Sequence, residues 1–136
     1  MRNYVLDASA LYRFLIDGPG AQTVSDLFKE ARQTNHDLSM SVVNWGEVYY
    51  NIMKSVGRTK ADQVMDAVDG LPLTIRDADL TLTRVAAGIR ASYGLHYADC
   101  FAAAVAGDKG YVVTTDTKDF KKVPWVKLVE LPSRKQ

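Results

Sequence analysis

The sequence predicts an α/β domain built on a mainly parallel sheet, and three observations carry that expectation. Short apolar, β-branched runs recur along the chain, among them "YVL" (4–6), "LPLTI" (71–75) and "YVVTT" (111–115). Between them lie longer segments with apolar residues at helical spacing, such as Val24, Leu27, Phe28 and Ala31, or Leu82, Val85, Ala86 and Ile89. The chain has 136 residues, 47% of them hydrophobic, which suits one domain with a single core over residues 1–136.

Each element follows from local pattern. "YVL" ends at Asp7, and the small residues of "DASAL" open a helix, so the start reads as strand, tight turn, helix. "GPG" at 18–20 breaks it. A helix is expected over 21–34, a short strand at "DLSM" (37–40), and helices over 43–56 and 59–69. The strand at 71–75 precedes a helix over 79–92 and an alanine-rich helix from about 97. "YVVTT" is the clearest strand signal, and "WVKLVEL" at 125–131 alternates as a final strand. There is no internal repeat, low-complexity tract or long linker.

Composition narrows the function. The formal net charge is +1, so the chain lacks the strongly basic balance of a protein that grips nucleic acid by charge alone; a local basic patch is still enough for binding. A single cysteine, Cys100, excludes an internal disulfide or a cysteine zinc site, and its apolar neighbours mark it as packing. The N-terminal stretch has an aspartate within its apolar part and no long hydrophobic run, so neither a signal peptide nor a membrane anchor is expected. A soluble, cytoplasmic protein fits best.

The stretch "ADCFAAAVA" at 98–106 holds one charged side chain, Asp99, in a helix that is apolar on every side. An anion there needs compensation, since burying it unpaired costs several kcal/mol. The dipole of the first helical turn supplies only about 0.3–1 kcal/mol, up to ~2 when partly buried. Asp7 and Asp116 would both stand just past the carboxyl ends of predicted strands, where open α/β sheets bind ligands.

Each remaining acid has an ordinary reading. Asp7 suits a helix cap. In "NWGE", Asn44 could cap a helix with Glu47 closing a capping box, and Asn44, Glu47, Asn51 and Lys54 form a stripe that a solvated face would also show. Asp116 and Asp119 in "TTDTKDF" suit a turn. Taken together they mean more. Two unit charges about 5 Å apart repel by roughly 3 kcal/mol at an effective dielectric of about 20, so four gathered carboxylates need either protons or a cation. Carboxylates without cysteine or histidine suit a hard divalent ion, Mg²⁺ or Mn²⁺, and such an ion takes further oxygens from phosphate. Phosphodiester hydrolysis is the economical reading.

"YVLDASAL", "NWGEVYYNI", "GLHYADCFAAAVA" and "VVTTDTKDF", in that order, resemble the PIN-domain family of metal-dependent nucleases, particularly its VapC-type toxin ribonucleases, over essentially the whole chain. The resemblance implies a five-stranded sheet in the order 3-2-1-4-5 flanked by helices. It implies that Asp7, Glu47, Asp99 and Asp116 are the catalytic acids and hold one or two Mg²⁺ ions. Asp119 then assists or braces the loop, and Ser9 and Thr114 support the acids. It implies an endoribonuclease toxin with water as nucleophile and 5′-phosphate products, paired with a VapB-like antitoxin whose tail lies across the groove; such toxins commonly form homodimers.

RNA contacts are left to rim residues, with Arg13, Lys54, Lys118, Lys121 and Lys122 as candidates. Trp45 suits the core better than base stacking, and His96 a surface position better than a ligand role. The alternatives are a PIN nuclease in RNA processing, a receiver-like phosphoacceptor domain, and a binding module without catalysis. A receiver needs paired acids after the first strand and an acceptor after the third; Asp7 is unpaired and only Asp77 is available there. The complete acid set argues against the binding module.

Overall fold

β1 (Asn3–Leu6) sends Tyr4 and Leu6 into one side of the molecule and Val5 into the other, as a strand buried on both faces must. In the computed structural model, which describes residues 2–34 and 36–133, it is the central strand of five. β2 (Asp37–Ser41) and β4 (Tyr111–Thr114) flank it, with β3 (Thr74–Arg76) and β5 (Lys127–Glu130) at the edges. All pairings are parallel, in the order β3-β2-β1-β4-β5. A receiver-like domain orders its strands 2-1-3-4-5 instead, and Asp77 follows an exposed edge strand, so that reading falls.

Helices cover both faces. α1 (Ala8–Leu15), α2 (Ala21–Gln33), α3 (Val42–Val56) and α4 (Arg58–Val68) pack on the Tyr4 and Leu6 side through Leu11, Val24, Phe28, Val48, Ile52 and Met65. α5 (Leu80–Tyr93) and α6 (Tyr97–Ala106), with α7 (Thr117–Phe120), pack on the Val5 side through Ile89, Phe101, Ala102 and Phe120. The architecture is the expected α/β one.

Several boundaries differ from the sequence expectation, each for a local reason. β3 begins at Thr74, because Pro72 has no N–H to give a ladder and Leu73 turns back to the Leu71 carbonyl at 2.8 Å. β5 loses Trp125 and Val126 to the preceding turn, where Val126 N donates to Val123 O. α3 starts at Val42, capped by Ser41, whose Oγ accepts from Val43 N at 3.0 Å. Asn44 is therefore not a cap, and no capping box joins it to Glu47. α7 went unanticipated because one helical turn is too short to show periodicity.

Two features aim α6. α5 stops at Gly94, whose φ of 77° lies in the left-handed region that a side chain resists. Arg90 then donates to the carbonyls of Gly94 (3.2 Å) and Leu95 (2.6 Å), fixing the link that sets Asp99 in the first turn of α6.

Candidate active site

Asp7 leaves the carboxyl end of β1 and caps α1, its Oδ1 accepting from Ala10 N at 3.0 Å and from Ser9 Oγ at 2.6 Å. The second oxygen accepts from Thr114 Oγ1. Ser9 Oγ in turn accepts from Thr115 N (3.0 Å), and Thr114 Oγ1 from Asp116 N (2.8 Å). Both hydroxyls named from the sequence thus lock Asp7 against the end of β4. The cap reading and the site reading describe one buried residue, 3% exposed.

The other acids come to the same end of the sheet. Asp116 follows β4 directly beside β1, and Asp119 lies one turn further, in α7. Asp99 is half-buried on α6, and Glu47 stands on α3. Carboxylate oxygens of Asp99, Asp116 and Asp119 lie within 4.8 Å of one another. Asp119, read from the sequence as secondary, belongs to this tight group, while Asp7 and Glu47 flank it.

The charges make the convergence measurable. Burial pushes Asp99 up to about 7, and Asp7, Asp116, Glu47 and Asp119, in that order, add to the rise. Burial pushes Asp7 up to about 6 against its three hydrogen bonds, with Glu47 adding to the rise. Asp116 is raised by burial and then by Asp119. Asp119 is held down, chiefly by Lys122, whose Nζ is 3.2 Å from its Oδ1. Asp7, Asp99 and Asp116 are thus pushed toward their protonated forms, and an all-oxygen donor set of this kind could hold a hard divalent cation in place of protons.

Asn44 is a residue the sequence reading placed wrongly. It is fully buried, and its Nδ2 donates to Glu47 Oε1 and to the Ala98 carbonyl, both at 3.1 Å. Its Oδ1 has no partner among the described residues. The sequence signal was a polar stripe, which cannot tell an inward amide from a solvated one.

From the acids a groove of about 1000 Å³ runs along α1 and α3, lined by Tyr12, Arg13, Ile16, Glu47, Asn51 and Lys54 among others. Glu47, Asn51 and Lys54 of the predicted stripe therefore share this groove. Of the five rim cations proposed from sequence, Arg13 and Lys54 line it. Arg13 also donates to the carbonyls of Pro19 and Pro132. Lys121 and Lys122 pair with Glu130 and Asp119, and Lys118 is exposed outside the groove. His96 is exposed at the start of α6, where it opposes the rise of Asp116 and adds to the lowering of Asp119. Trp45 packs against the core beside Tyr49, and Cys100 is buried, as expected.

A family model for the PIN domain matches residues 4–126. The chain belongs to the PIN domain family. Solved structures similar to this PIN domain include VapBC2 from Rickettsia felis bound to a DNA fragment from its promoter. That match has a TM-score of 0.77 and 19% identity, and covers 94% of this chain and 98% of the other. DNA-bound VapBC from Salmonella typhimurium matches with a TM-score of 0.73 and 18% identity over 96% and 98%. VapC20 of Mycobacterium tuberculosis, a toxin that cleaves the sarcin–ricin loop, matches with 0.64 and 11% over 85% and 92%. At these identities the likeness is one of fold. No curated protein sequence matches the chain. No helix among the described residues of this PIN domain is long and apolar enough to cross a membrane.

Proposed function

We propose that this PIN domain is a divalent-metal-dependent endoribonuclease and the toxin of a VapBC-type pair. The observation that carries the reading is the convergence of Asp7, Glu47, Asp99 and Asp116 at one groove, with Asp119 beside Asp99 and Asp116. Two of the carboxyls, Asp7 and Asp99, are pushed to about 6 and 7 by burial and by neighbouring acids, and a dication would relieve that cost. Asp99, Asp116 and Asp119 would hold the ion, with Asp7 and Glu47 beside them, and Mg²⁺ or Mn²⁺ suits the donors. Such an ion, when bound, would neutralise phosphate charge and lower the pKa of a bound water, making hydroxide easier to form as the nucleophile.

The chain's own groups do the rest. Ser9 and Thr114 hold Asp7 in one orientation, so its oxygens need no rearrangement when substrate arrives. A single strand would lie in the groove, where Lys54 and Asn51, beyond Glu47 on α3, would meet the backbone of flanking nucleotides. The likeness to VapBC complexes supports a small VapB-like antitoxin as partner, and a homodimer is the assembly we expect.

The test is cleavage of RNA by the purified protein in Mg²⁺ or Mn²⁺, with Asp7→Asn and Asp99→Asn as folded controls. Loss of cleavage in both variants and in excess chelator is the expected result; cleavage that survives either treatment rejects the mechanism. For the toxin role, the wild-type gene should arrest growth and a neighbouring short reading frame should relieve it. Without such relief the protein is a PIN nuclease of RNA processing.

A further inference from the structure

We propose that Asn44 is a positioning residue that sets the spacing between Glu47 on α3 and Asp99 on α6. The inference rests on the metal-nuclease reading above. One amide group donates twice, to Glu47 Oε1 in its own helix and to the carbonyl of Ala98, the residue before Asp99, 54 positions along the chain. A single planar group therefore ties together the parts of two helices that carry two of the acids.

The orientation of that amide is dictated by its partners. A carboxylate oxygen and a backbone carbonyl both accept, so Nδ2 must face them, and turning the group over would set oxygen against oxygen. The consequence is an Oδ1 that is buried with no partner among the described residues. An asparagine kept only to fill space has no need of this, because an apolar side chain would pack there without an orphaned polar atom. Asn44 does not line the groove, so it acts through Glu47 and Asp99 and not on substrate. Glu47 is a long side chain with several rotatable bonds, and a fixed donor at its carboxylate limits where that carboxylate can stand.

The test is Mn²⁺ affinity measured by calorimetry on wild type, Asn44→Leu, Glu47→Ala and the double variant, with circular dichroism to establish folding. Asn44→Leu should bind Mn²⁺ about 10- to 100-fold more weakly, the range typical when a group that orients a metal ligand is removed. Because Asn44 works partly through Glu47, its loss should cost less in the Glu47→Ala background than in wild type. If Asn44→Leu does not fold, Asn44→Ser, too short to bridge the helices, carries the same expectation. A folded variant with wild-type affinity, or full additivity in the double variant, overturns the role of Asn44 alone. Wild type that binds no Mn²⁺ overturns the metal-nuclease reading and this inference with it.

Discussion

Thr114 Oγ1 donates to Asp7 Oδ2 at 2.5 Å, joining residues 107 positions apart across the β1 and β4 pair. The same hydroxyl oxygen accepts the backbone N–H of Asp116, so one buried group touches the acids that follow both strands. A methyl in its place leaves a buried carboxylate oxygen and an N–H without partners. Thr114→Val should therefore lower stability by about 1–3 kcal/mol in urea unfolding. It should also slow RNA cleavage by about 10- to 100-fold, whereas Thr114→Ser should keep most of both.

Asp99→Asn should separate stability from activity. The carboxyl is pushed to about 7 by burial and by four other acids, so at pH 8 the folded chain holds a charge it would shed if it could. The neutral amide removes that repulsion. The metal-free variant should melt at a higher temperature than wild type at pH 8 and show no metal-dependent cleavage; an unchanged or lower melting temperature contradicts the electrostatic account.

The raised carboxyls also set a pH dependence. Asp7 and Asp99 keep their protons to about 6 and about 7 when folded, while an unfolded aspartate loses its proton near about 3.9. The folded state binds more protons between those limits, so the stability of the metal-free protein should fall as pH rises from about 4 to about 7. Saturating Mn²⁺ needs the deprotonated forms and should reverse that slope. Thermal melts across this range, with metal and with chelator, check both signs.

Lys54 is the groove's cation on α3, seven residues beyond Glu47 on the same face. If it meets a phosphate, Lys54→Ala should weaken RNA binding and reduce the slope of log affinity against log salt by about 0.7, the value for one contact on a single strand. Lys29→Ala on α2, outside the groove lining, should leave the slope unchanged. Equal slopes for wild type and Lys54→Ala would remove Lys54 from the binding surface.

Much of the site was legible because its signals are local. An aspartate that ends an apolar run, and one charge inside an alanine-rich helix, can be seen without knowing what packs against them. Ser9 and Thr114 came from the family resemblance and not from local pattern, and they proved to be hydrogen-bonded to Asp7. Asn44 shows where such reading stops. Capping and bridging use the same side chain, and the choice depended on Ser41 standing nearer the end of β2 and on α6 lying within reach.

Alternating and helical periodicities, broken at Gly18 and Gly20, determined most of the strand and helix segments, α7 excepted, because those preferences act over a few residues, and the alternation of strands with helices pointed to a mainly parallel sheet. Only the folded chain decided that Asp119 joins Asp99 and Asp116 in the tight cluster, that Asn44 turns inward, and that Lys121 and Lys122 are taken up by acids. Those outcomes depend on distances between elements far apart in the chain, and electrostatic and hydrogen-bond energies change steeply over such distances while local sequence pattern is blind to them.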